Sequence, residues 1–115
     1  MNDRKLLELA AKAAGAEWSD YSDRTSNHWH IERADGVWRE WNPLTDDGDA
    51  LRLAVKLRID IDHLDTGLSA VHRRTRYYPG VVETYGSDEC AATRRAITRA
   101  AAEIGARITE AGGGS

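Results

Sequence analysis

Apolar residues recur at helical spacing in three stretches of the chain and alternate at strand spacing between them. Leu6, Leu7, Ala10, Ala13 and Ala14 share one helical face, with Lys5, Glu8 and Lys12 on the wet side, so the spacing predicts a helix from Asp3 to Ala14. Asn2 or Asp3 can cap its start, and Gly15 stands where a carboxy-terminal stop belongs. Ala16-Glu17-Trp18 has the composition to begin a short strand, whereas the polar run 19–27 lacks periodicity and reads as a surface loop. His28 to Arg33 and Val37 to Trp41 then flank Ala34-Asp35-Gly36, a hairpin signal because Asp-Gly accepts positive φ. Alternation sets Trp29 and Ile31 against His28, His30 and Glu32 on the first strand. On the second it sets Val37, Arg39 and Trp41 against Trp38 and Glu40.

Pro43 ends the hairpin, and Thr45-Asp46-Asp47-Gly48-Asp49 opens a second helix. Thr45 or Asp46 can accept the free backbone N–H groups, and the acids suit the positive end of the helix dipole. Ala50, Leu51, Leu53, Ala54, Val55 and Leu57 form a stripe wide enough to predict deep burial. Ile59 and Ile61 alternate with Asp60 and Asp62 in a strand, and Asp65-Thr66-Gly67 makes a turn. Leu68, Ala70 and His72 then alternate with Ser69, Val71 and Arg73. Tyr77-Tyr78-Pro79-Gly80 breaks the sheet before a last strand from Val81 to Tyr85. Ser87 or Asp88 caps a final helix whose face is Ile97, Ala100, Ala101, Ile104 and Ile108, fraying between Arg107 and Ala111. The predicted order is α-ββ-α-βββ-α. It describes an α+β fold in which helices pack, as a sandwich, on an antiparallel sheet of about five strands. Residues 1–111 make a single domain, and 112–115 a flexible Gly/Ser tail.

Composition narrows the class. A chain of 115 residues holds one core, and seventeen alanines within a hydrophobic content of 41% require that core to be closely packed. A net charge of −3 excludes a polybasic nucleic-acid binder and is too mild for a strong DNA mimic. No apolar run reaches the length of a membrane span, so no membrane contact is expected. Met1-Asn2-Asp3-Arg4-Lys5 leads directly into the first amphipathic pattern, without the apolar stretch of a secretory signal. The single cysteine, Cys90, cannot form an internal disulfide, which fits a reducing cytoplasm.

Catalytic chemistry is sparse. Cys90 falls in the first turn of the last helix, where the dipole favours a thiolate, and His63 or His72 would have to serve as its base. Nothing in the spacing requires that pairing, and a small side chain filling a helix–sheet gap is the simpler reading. His28 and His30 could begin a metal site completed by Asp60, Asp62 or His63, but two histidines near in sequence are a weak signal. Asp46, Asp47 and Asp49 lack the closing Glu of a calcium loop and read as helix caps. Glu32, Glu40 and Glu83 could supply a carboxylate pair, as any strand-rich domain could. No phosphate loop or nucleophile elbow occurs, so no catalytic residue, metal or cofactor is assigned.

Binding features are stronger. His72-Arg73-Arg74-Thr75-Arg76-Tyr77-Tyr78 joins guanidinium forks suited to phosphate or carboxylate with rings that can stack on a base. Residues 66–115 carry seven basic and five acidic side chains, and residues 43–65 three and six, so charge is separated along the chain. Of four tryptophans, Trp29 and Trp41 are expected to pack on helices, while Trp38 faces the other way and needs a second helical layer or a partner. The expected binding surface is Arg73, Arg74, Arg76, Tyr77 and Tyr78, with Trp38 contributing.

Trp41-Asn42-Pro43-Leu44-Thr45-Asp46-Asp47-Gly48-Asp49-Ala50 and Ala91-Ala92-Thr93-Arg94-Arg95-Ala96-Ile97 resemble segments of small phage and prophage proteins. From Leu6 to Gly105 the chain is similar to the phage ABA sandwich domain family. In that pattern a helix precedes a Trp-containing hairpin, a Trp-x-Pro-x-x-Asp element starts the middle helix, and an Ala-x-x-Arg-Ala helix closes the chain. The resemblance implies a phage origin and α/β/α layering, and it supplies no catalytic residues. The resulting expectation is a non-enzymatic phage accessory protein in the host bacterial cytoplasm that binds and inhibits a host protein or defence complex. Counter-defence, including anti-CRISPR activity, is the setting. One alternative sequesters a nucleotide defence signal as ligand, with Arg73, Arg74 and Arg76 on its phosphates. Another is a small enzyme using Cys90 or a carboxylate pair. A homodimer is compatible with each.

Overall fold

The computed structural model describes residues 2–19, 28–73 and 80–113. The element order is α1 (Asp3–Ala14), β1 (Glu17–Trp18), β2 (Trp29–Glu32), β3 (Trp38–Glu40), α2 (Asp47–Leu57), β4 (Ile59–His63), β5 (Gly67–His72), β6 (Val81–Thr84) and α3 (Glu89–Gly113). The α+β class and the antiparallel pairing are those the sequence pattern predicts. The strands, however, divide into two three-stranded meanders, β1-β2-β3 and β4-β5-β6, where one sheet of about five strands was expected, and Glu17–Trp18 supplies the sixth. Pro43 and the cap at Asp46 turn the chain into α2 directly after β3, so it leaves the β3 edge before β4 begins. The polar run 20–27 and the Tyr77-Tyr78-Pro79 break lie outside the described residues.

Local signals act where they were read. The Asn2 carboxamide oxygen accepts from the Lys5 N–H at 2.9 Å, and Gly15, at φ +83°, ends α1 by donating to the Ala11 carbonyl. In the β2–β3 turn Gly36 sits at φ +81°, and Asp35 accepts from the Val37 N–H at 3.0 Å. The Arg39 guanidinium grips the Asp35 carboxylate through both nitrogens, at 2.8 and 3.3 Å; with the Val37 N–H it holds that carboxyl below its ordinary range. A Cβ at Gly36 would meet nothing, so only the backbone conformation resists substitution. Gly36→Val is therefore expected to cost about 1–3 kcal/mol, while Gly36→Asn, which tolerates the left-handed region, costs less. Urea unfolding midpoints of the two variants check this order.

The core gathers around α3. Asp88 caps it through the Ala91 N–H at 3.0 Å. Ala96, Ile97, Ala100 and Ala101 are buried together with Leu68, Ala70 and Val81 from the second sheet. Ala50, Leu53 and Ala54 from α2, Ala10, Ala11 and Ala14 from α1, and Trp41 complete the cluster. Gly105 lets α1 lie against α3, because a Cβ there would stand 1.8 Å from the Leu9 carbonyl oxygen. The helix continues to Gly113 where fraying from Arg107 was expected.

Two readings change. The α2 stripe is only half covered: Ala50, Leu53 and Ala54 are buried, but Leu51 is 63% and Val55 55% exposed. Those two sit one turn apart, and Leu51 borders a shallow groove that β4 and α3 also line. Asp49, read as a cap, is an interior anchor, 4% exposed. Its Oδ1 accepts from Arg33 Nη2 at 3.1 Å and Arg52 Nη2 at 2.9 Å, and its Oδ2 from the Asn42 N–H at 2.9 Å. Asp46 is the cap, accepting from the Asp49 N–H at 2.8 Å. Arg94 joins the Trp41–Ala50 and Ala91–Ile97 segments, donating from Nε to the Leu44 carbonyl at 2.9 Å and from Nη1 to Asp47 at 2.6 Å. These contacts hold α3 to the start of α2.

Candidate functional site

The register of the first sheet decides which side chains share a face. Glu17, His30 and Glu40 align across the three strands, and Glu32 opposes Trp38, which places all five on one side. Trp18, Trp29, Ile31 and Arg39 lie on the other, where Trp29 and Ile31 pack against the core. The sidedness read from alternation therefore holds. Trp41 is 2% exposed, as a helix-packed tryptophan should be. Trp38 has no second helical layer over it among the described residues and is 45% exposed.

The outer face has a definite chemistry. Glu17, Glu32 and Glu40 are exposed, and none of them pairs with a cation among the described residues. His30 sits between Glu17 and Glu40 and donates from Nδ1 to the His28 carbonyl at 3.1 Å. A large aromatic ring surrounded by unneutralised carboxylates is suited to a basic surface: the ring fills a pocket or meets a guanidinium, and the acids pair with lysine or arginine. At the sheet edge, Trp18 is 48% exposed, stands edge-on to Trp29 at 5.2 Å and lies 4.8 Å from His28. Pairing of Glu17–Trp18 onto β2 brings both residues to this region, which a two-residue strand does not reveal in sequence.

Of the basic aromatic stretch, Arg74, Arg76, Tyr77 and Tyr78 lie outside the described residues. Arg73 is 64% exposed in its side chain and pairs with Asp60 at 3.1 Å at the end of the second sheet. Trp38 belongs to the other sheet, and no described contact joins it to Arg73.

Cys90 is exposed, which corrects the expectation of a small side chain buried between helix and sheet. It lines a groove of about 340 Å³ with His63, Glu89, Thr93 and Arg94, over an apolar floor that includes Ile61 and Ile97. The His63 ring stacks on Tyr85 and its Nδ1 is 2.6 Å from the Tyr85 hydroxyl. Desolvation, with the charges of Glu89 and Asp62, pushes that hydroxyl above its ordinary range, so it is a neutral phenol at pH 7. His72 lines a different hollow, beside Gly80 and Ile104. Glu83 is bound by Arg99, apart from Glu32 and Glu40 on the first sheet. Among the described residues no group of three His, Cys, Asp or Glu could hold a metal ion, and no helix is long and apolar enough to cross a membrane. No protein-family model, curated protein or solved structure matches this chain.

Proposed function

We propose that the protein is a phage accessory protein that acts by binding and blocking a bacterial host component, in the setting of counter-defence such as anti-CRISPR activity. The observation that carries the binding reading is Trp38, nearly half exposed on a sheet face with Glu17, Glu32 and Glu40. An exposed indole amid unpaired acids selects a basic partner surface, and host defence proteins that grip nucleic acid must present one. The phage setting rests on the Trp41–Ala50 and Ala91–Ile97 segments.

The test is phage plating on bacteria that carry reconstituted defence systems, CRISPR interference among them, and express the protein. Wild type is expected to restore plating in at least one system. Trp38→Ala and the charge reversal Glu32→Lys/Glu40→Lys should each reduce that rescue by about tenfold or more, with unchanged thermal midpoints. Cys90→Ala should rescue fully, whereas its failure in a folded protein would favour an enzyme. Rescue that survives both sheet variants but is lost in Arg73→Ala/Arg74→Ala would move the site to the basic stretch. Absence of rescue in every system would overturn the counter-defence setting.

A further inference from the structure

A cleft opens between the β2–β3 hairpin and α2, separate from the outer sheet face. Its volume is about 160 Å³, below the roughly 300–1,000 Å³ of a drug-sized ligand site, so it suits a compact molecule. Ile31, Trp41 and Leu53 give it an apolar lining, and Arg33, Arg52 and Lys56 bring three cations to it from two elements far apart in sequence. The anionic groups that face these cations do not exhaust them. Asp49 accepts one N–H each from Arg33, Arg52 and the Asn42 backbone, and Asp46 reaches Arg52 at 3.8 Å. Lys56 Nζ donates to the Ala14 carbonyl at the end of α1, which uses one of its three protons. Arg33 Nε is buried and meets no acceptor among the described residues. Glu32 lies at the rim, but alternation turns it to the outer face with Trp38.

A buried guanidinium donor without an acceptor is costly, and the arginine that carries it lines this cleft with Arg52 and Lys56, which keep spare donors, over an apolar surface. We infer that this cleft binds a small organic anion, a carboxylate or phosphate monoester on a compact apolar body. The anionic group lies among Arg33, Arg52 and Lys56, and the apolar body rests against Ile31, Trp41 and Leu53. Arginine forks suit either head group, and the apolar lining separates such a ligand from inorganic phosphate.

Titration of the ¹⁵N-labelled full chain with phenyl phosphate, benzoate, benzyl alcohol and inorganic phosphate, followed by NMR, tests the site. Saturable shifts of the Arg33 Nε–H and Trp41 indole N–H are expected with phenyl phosphate or benzoate, and the tighter of the two identifies the preferred head group. Benzyl alcohol and inorganic phosphate should each bind about tenfold more weakly or worse. Lys56→Met and Arg52→Gln, confirmed folded by their spectra, should each weaken binding roughly fivefold or more, while Trp38→Ala should leave it unchanged, so this site and the sheet face stand or fall separately. No saturation by either aromatic anion at about 20 mM, equal affinity for benzyl alcohol, or full affinity in both cation variants would overturn the assignment.

Discussion

Asp49→Asn is expected to remove about 3–5 kcal/mol of stability, the range for breaking a buried ion pair by deleting one partner's charge. The carboxylate is only 5% exposed in its side chain and ties three places together: Arg33 at the hairpin end, Asn42 in the connection, and Arg52 on α2. An amide of the same shape leaves Arg33, 23% exposed, without its counter-charge and turns an N–H₂ toward donors. Small domains have about 5–15 kcal/mol in total, so the variant should unfold at a much lower urea midpoint, with a thermal midpoint lowered by roughly 10 °C or more. The exposed ion pair Lys5–Glu8 gives the contrast, since Glu8→Gln should change stability by less than about 1 kcal/mol. A double cycle of Asp49→Asn with Arg33→Met should show strong coupling. Additive effects would mean that the two side chains do not share an interaction.

Gly105→Ala is the second large effect, and its sign is opposite to what helix propensity dictates. In an exposed helix interior the change would stabilise by about 1 kcal/mol. Here the new methyl would stand 1.8 Å from the Leu9 carbonyl oxygen and 2.7 Å from its carbon, both backbone atoms of α1 that cannot swing aside. The helices must separate, and the close seating of Leu6 and Leu9 on Ala102 is lost with them. A net loss of about 2–3 kcal/mol is expected, from a backbone clash costing about 3–4 kcal/mol, at or above the top of the usual overpacking range, less the propensity gain of about 1 kcal/mol. Chemical denaturation decides the sign. A midpoint equal to or above wild type would show that α1 can move away at no cost.

The sequence by itself determined the features that depend on near neighbours. The limits of α1, the location of each helix cap to within two neighbouring residues, the Asp35-Gly36 turn and the two-residue alternation of β2, β3, β4 and β5 are all legible, and the structure selects Asn2, Asp46 and Asp88 as the caps. The reason is that hydrogen bonds and backbone preferences within a few residues decide them. Only the tertiary structure decided what each pattern faces. Leu51 and Val55 satisfy the same helical spacing as Leu53 yet are exposed, because periodicity marks a stripe and not the partner that covers it. Asp49 belongs to a run that serves equally as cap or anchor until Arg33 arrives from sixteen residues away. Cys90 is exposed at the rim of a groove shared with Ile61 and His63 of β4, a placement set by how α3 meets the second sheet. The division of the strands into two meanders, the meeting of Arg33, Arg52 and Lys56 in one cleft, and the bare outer face around Trp38 have the same origin. Each is a long-range juxtaposition, governed by how helices and sheets close over one another, which no local window of residues encodes.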